Sequence, residues 1–129
     1  MRGSRSGSGE AGRSDWAFGT LTSMITIEEF FQTELKVARI TAAEPIPNSH
    51  KLLKLSVDLG DETRVLVAGI AKAYPSEDLL GRQVVVVTNL QPAKLMGVES
   101  QGMVLAASVD GKPVLLKPDQ EVPDGTPVR

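Results

Sequence analysis

Apolar and polar residues alternate with a period of two along much of this chain, which is the mark of strands with one buried and one wet face. Leu35-Lys36-Val37-Ala38-Arg39-Ile40 interleaves apolar with basic residues, and Leu53-Lys54-Leu55-Ser56-Val57-Asp58-Leu59 alternates again. Val65-Leu66-Val67-Ala68 predicts a third strand, closed by Gly69. Pro45, Pro47 and Asn48 break the first strand, and Gly60-Asp61 turns the second into the third. Val84-Val85-Val86-Val87 has no wet face and predicts a central, buried strand. Met103 to Ala107 predicts a fifth strand, Asp110-Gly111 a hairpin turn into Val114-Leu115-Leu116, and Pro123-Asp124-Gly125 a last turn.

Two short helices interrupt this texture. Thr26-Ile27-Glu28-Glu29 has the form of a capping box, in which Thr26 and Glu29 satisfy each other's backbone N–H groups. Phe30 and Phe31 follow, so the helix is expected to pack its aromatic face on the domain. Pro75 to Leu80 predicts a second helix, capped by Ser76 and stopped by Gly81. The order is three strands, a short helix, two strands and a tail of small β-elements. That is an all-β chain with the order of a five-stranded Greek-key barrel, the OB-fold, in which a helix between strands 3 and 4 plugs the barrel. A short N-terminal helix and a C-terminal β extension complete it. An SH3-like barrel satisfies the same pattern, and no internal repeat is visible.

Composition narrows this further. Residues 1–23 are rich in Gly, Ser and Arg and lack hydrophobic period, so they read as an expression leader that holds the single Trp16. Residues 24–129 are then one domain, long enough for a single core. No apolar run approaches the roughly 20 residues of a membrane-spanning helix. The chain has no cysteine, which removes disulfides and thiolate chemistry and suits a cytoplasmic setting. Net charge is −2, and without the leader's Arg2, Arg5, Arg13, Glu10 and Asp15 it is −3, so a generally basic nucleic-acid binder is excluded.

The inventory for catalysis is thin. His50, the only histidine, stands in the polar turn Pro47-Asn48-Ser49-His50-Lys51, where a surface residue is expected, and no His/Cys zinc set exists. Neither a nucleophile elbow nor a phosphate-binding glycine loop is present. No enzymatic activity, cofactor or metal is expected. Lys36, Arg39, Lys51, Lys54, Arg64 and Lys94 lie on the first three strands and one later loop, where an OB-fold meets oligonucleotides. Simple solvation explains Lys36 and Lys54 equally well. The strands carry no aromatic residue for base stacking, which disfavours generic single-strand binding and leaves recognition of a folded RNA open.

The most specific stretch is Asn89-Leu90-Gln91-Pro92-Ala93-Lys94-Leu95-Met96-Gly97-Val98-Glu99-Ser100-Gln101-Gly102-Met103-Val104-Leu105-Ala106-Ala107. It resembles the signature of the bacterial tRNA-binding domain family. That family includes the C-terminal appendix of methionyl-tRNA synthetases, free-standing structure-specific tRNA-binding proteins, CsaA secretion chaperones and a domain of a synthetase-associated cytokine precursor. Glu34 to Ile40, His50 to Leu55 with Asp58-Leu59-Gly60, Val67 to Ile70 and Gly81 to Val87 resemble further family blocks, in order and with matching spacing.

The resemblance implies an OB-fold whose C-terminal extension helps form a homodimer, with the folded body of tRNA as ligand and a synthetase catalytic domain among the partners. Family contact positions fall on Lys51, Asn89, Ser100 and Met103, with Lys54 and Lys94 nearby. In that reading the lysines meet phosphates, Asn89 and Ser100 bond a base edge or 2′-OH, and Met103 packs on a base. Asn89 equally suits a loop cap, and Met103 the core. Many relatives carry two cations where this chain has Gln91 and Ala93, which implies fewer phosphate contacts and weaker binding. The alternative within the family is a CsaA-like chaperone for unfolded polypeptides, which needs an apolar groove.

Overall fold

The computed structural model describes residues 23–129, so the expected leader lies outside the described residues but for Ser23. The chain divides between Gln32 and Thr33 into two compact units, each described here by itself. In the first, helix α1 spans Ile27–Phe30, and its capping box forms as expected. The Glu29 N–H donates to Thr26 Oγ1 at 3.0 Å, and the Thr26 N–H donates to Glu29 Oε1 at 2.8 Å. No residue of α1 is buried. Phe30 and Phe31 contact each other, at 5.7 Å between ring centroids.

The second unit is mainly β-structure, built on β1 (Leu35–Pro45), β2 (Leu53–Asp58), β3 (Thr63–Ala68), β4 (Gln83–Val87) and β7 (Met103–Val104). Neighbours run β3-β2-β1-β4-β7, all antiparallel. β1 serves two partners. Its first half, Leu35 to Arg39, pairs with β4, and its second half, Arg39 to Pro45, pairs with β2. A bulge between Ile40 and Ala42 bends it, and Thr41 Oγ1 donates to the Ser56 carbonyl there. The bend lets one strand lie in both walls of a barrel.

Strand β7 then approaches the free edge of β3, which nearly closes the barrel along a seam. The Gln101 N–H donates to the Val65 carbonyl at 2.8 Å. In return the Val65 N–H donates to Gln101 Oε1 at 3.0 Å, and the Val67 N–H to Ser100 Oγ at 2.9 Å. Two side chains thus do what carbonyls do in a regular ladder. Gly102 makes the approach possible, because a Cβ there would stand 2.8 Å from the Val87 carbonyl oxygen. The fold is the expected OB-type barrel.

Its interior holds Ala38 and Ile40 of β1, Leu53, Leu55 and Val57 of β2, Leu66 and Ala68 of β3, and Val84 and Val86 of β4. Every residue of β4 is buried, as its sequence predicts. The plug is smaller than expected. Only a 3₁₀ turn forms at Ser76–Asp78, Pro75 holds the cap position, and the Ser76 side chain caps nothing. Leu79, fully buried behind that turn, fills the barrel end. The expected fifth strand is also split, into β7 and β8 (Ala106–Val109). At the break, the Leu105 N–H donates to Val85 while its carbonyl accepts from Leu116, so the chain leaves the barrel for the C-terminal extension.

That extension opens with hairpin β8–β9 (Lys112–Leu115), turned at Asp110 and Gly111 with φ of 50° and 80°, as expected. It ends in β10 (Pro127–Val128), which pairs with the start of β1. Arg39 and Gln83, opposite each other on β1 and β4, clasp it. Arg39 reaches Glu121 and Asp124, and Gln83 exchanges hydrogen bonds with Val122 and Asp124.

Candidate nucleic-acid interface

Two loops and one sheet face hold most of the candidate residues. The loop from Ile46 to Leu52 is anchored by buried Ile46 and tightened by Ser49, whose Oγ accepts from the Lys51 and Leu52 N–H groups. Asn48 takes the left-handed conformation at φ 68°. This geometry leaves His50 and Lys51 exposed at the loop's end. On β2 the apolar residues point inward, so the period of two turns Lys54 outward, opposite Glu44 on β1 and Val67 on β3.

The second loop is the excursion from Thr88 to Gln101 between β4 and β7. It folds back as a hairpin, β5 (Ala93–Leu95) and β6 (Val98–Ser100), where the sequence pattern predicts only a loop. Met96 and Gly97, with φ of 50° and 82°, form its turn. Lys94 lies exposed on β5, across from Glu99. Leu90, Leu95 and Met96 are exposed apolar side chains of the same excursion.

Three candidates have partners or places within the fold itself. Ser100 is 5% exposed, and its hydroxyl accepts from Val67 and donates to the Gly102 carbonyl at 3.0 Å. It is therefore a piece of the seam, with its hydrogen-bonding capacity engaged by backbone. Asn89 is exposed, yet its Oδ1 accepts from the Glu34 N–H at 2.8 Å and ties the start of the excursion to the start of β1. Lys36 shares the interior face with Ala38 and Ile40, opposite Val86, so it stands at the barrel end beside Glu62, away from the outward row of Lys54. Met103, by contrast, is 46% exposed opposite Val87 on β4 and belongs to the surface.

Arg39 and Arg64 are committed to the fold. Arg64 pairs with Val57 on the interior side of the sheet and is anchored at three carbonyl or carboxylate partners. Its Nη1 donates to the Thr88 carbonyl at 2.5 Å and to the Gln101 carbonyl at 3.2 Å, and its Nε donates to Glu62 at 3.0 Å. The Arg64 hydrogen bond is the main cause holding Glu62 below the ordinary carboxylate range; desolvation opposes it, and the charges of Arg64 and Lys36 add to it. Hydrogen bonding to Glu121 raises Arg39 in the same way. Among the described residues, the ion pairs all belong to Arg39 and Arg64, and Lys51, Lys54 and Lys94 have none. Sequence reasoning counted Arg64 among the surface cations and missed Gln101; the inward parity of Arg64 with Leu66, two residues on, was the available signal. No group of metal-ligating side chains occurs among the described residues.

Residues 35–127 match a family model described as "Putative tRNA binding domain". Over 104 residues the chain is 53% identical to the methionine–tRNA ligase of Archaeoglobus fulgidus and, over an alignment of the same length, 52% identical to that of Thermotoga maritima. Each alignment covers 81% of this chain but 16% of the ligase, so the chain spans about a sixth of the length of these curated relatives. Among solved structures, the MetRS-related protein of Pyrococcus horikoshii superposes with a TM-score of 0.80 at 42% identity, covering 84% of this chain and all of that one. The chaperone CsaA of Bacillus anthracis follows at 0.76 and 34%, covering 83% of this chain and all of that one.

Proposed function

The chain belongs to the tRNA-binding domain family, and from that premise we propose that residues 24–129 bind folded tRNA without catalysis, in the cytoplasm, as a synthetase appendix or a free-standing protein. The observation that carries this reading is the division of labour among cations. The fold pairs Arg39 and Arg64 with its own carboxylates, whereas Lys51, Lys54 and Lys94 stand without ion pairs on the two loops and the sheet face that an OB-fold offers to nucleic acid. In this reading those lysines meet phosphates and Met103 packs on an exposed base, while Ser100, Asn89 and Lys36 support the surface from behind.

Filter binding of unfractionated tRNA across a salt series tests it. Three phosphate contacts give a slope of log affinity against log salt of about −2 to −3, and Lys51→Ala or Lys94→Ala each make it shallower by about one. Absence of retention at low salt, or slopes that neither substitution changes, overturns the proposal.

The same family membership supports a homodimer built through the C-terminal extension, since Val109, Val114 and Leu116 on and beside hairpin β8–β9 are exposed apolar side chains. Sedimentation equilibrium at twice the 13.8 kDa chain mass is the expected result. A second reading, capture of unfolded polypeptide, is favoured by the likeness to CsaA and by exposed Leu90, Leu95 and Met96. Binding of a reduced, unfolded reporter protein in the absence of tRNA retention distinguishes it.

A further inference from the structure

We propose that Arg64 is the positioning residue of the RNA-binding excursion: it staples both stems of the Thr88–Gln101 segment and so sets where Lys94 stands. This inference rests on the tRNA-binding reading above and deepens it.

Thr88 is where the chain leaves β4, and Gln101 is where it comes back toward β7. The same Nη1 of Arg64 donates to both of their carbonyls. Outward from that point the excursion carries Asn89, Lys94 and the β5–β6 hairpin. Between the β4–β7 ladder and the β5–β6 ladder, the guanidinium is the bridge across the two stems. Its own orientation is fixed from behind by Glu62, which accepts from Nε at 3.0 Å and from Nη2 at 3.4 Å. Arg64 is largely shielded, with a side-chain exposure of 23%, so it is poorly placed to meet a phosphate itself. It acts through the loop.

A lysine keeps the charge but not the function. One ammonium on a flexible stem cannot present a planar fork to a carboxylate and also span two carbonyls. Arg64→Lys is therefore the informative substitution, with Glu62→Gln, which weakens the fork from the other side, as the second variant should Arg64→Lys fail to fold.

Two measurements on the intact chain test the proposal. Amide hydrogen exchange of the free protein is expected to accelerate about tenfold or more at residues 93–100 in either variant, with β1, β2 and β4 unchanged, the size following from loss of a charge-assisted hydrogen bond. In tRNA binding, Arg64→Lys is expected to make the salt slope shallower by about one although a cation replaces a cation. Adding Lys94→Ala to it should lower affinity by less than about twofold, because the two act as a unit. Unchanged exchange at 93–100, or effects of the two substitutions that multiply, overturns the proposal. A wild-type chain that retains no tRNA overturns the functional reading alone, and the exchange measurement still decides whether Arg64 holds the excursion.

Discussion

Ser100 makes two hydrogen bonds, one accepted from Val67 and one donated to Gly102, and both go to the backbone. Its removal leaves the Val67 N–H without its partner in a buried seam, so Ser100→Ala is expected to cost about 1–3 kcal/mol in urea unfolding. A loss below a few tenths would show that water replaces the hydroxyl there. Gly125 makes a comparable case from geometry: at φ 91°, a Cβ would stand 2.1 Å from the Leu59 carbonyl oxygen. Gly111, at φ 80°, has open space around it. Gly111→Ala should therefore cost only the left-handed strain of about 1–2 kcal/mol. Gly125→Ala should lower the melting temperature by clearly more; equal shifts would refute the close approach. The residue pattern made the inward positions legible, because a period of two assigns a face without any knowledge of neighbours. It did not show which polar residues the seam would consume. Ser100 and Asn89 have partners 33 and 55 residues away in sequence, and no local pattern announces such pairings.

At the scale of elements, the strands were readable and the helix was overestimated. Pro75 fixes the start and Gly81 the stop, which leaves room for barely one turn, and a single turn does not repay nucleation of an α-helix. What matters in that segment is Leu79. Its side chain is fully buried in the barrel core, so Leu79→Ala is expected to destabilise by about 2–5 kcal/mol, while its exposed neighbour, as Leu80→Ala, shifts stability by less than about 0.5 kcal/mol. Equal effects would mean that the turn is not the plug. Hairpin β5–β6 escaped the sequence reading because its turn is Met96-Gly97, with a left-handed non-glycine residue of a type that rarely adopts that conformation. Asp110-Gly111 was visible because aspartate tolerates it. The short β10 was hidden for another reason: two residues carry no period, and only the free edge of β1 defines them as a strand.

For the whole molecule, charge is organised by exclusion. An acidic domain keeps a few lysines free by pairing its two structural arginines with Glu62, Glu121 and Asp124. One pH effect follows. The Arg64 hydrogen bond holds the folded pKa of Glu62 below the ordinary 4.5 of a glutamate, so its contribution to stability is present above that value and is lost as pH falls through the folded one. Melting temperature should accordingly rise with pH up to about 4.5 and gain nothing further from this group above it, and Glu62→Gln should flatten part of that rise; superimposable profiles would refute the assignment. On the alkaline side Arg39, raised chiefly by its hydrogen bond to Glu121, keeps its charge at every ordinary pH. The seam carries a last consequence. A strand edge with a row of unused N–H groups can template the growth of foreign strands into fibres. On β3 the N–H groups of Val65 and Val67 are engaged by Gln101 and Ser100. A barrel that closes on side chains this way guards the β3 edge against runaway polymerisation without a full closing ladder.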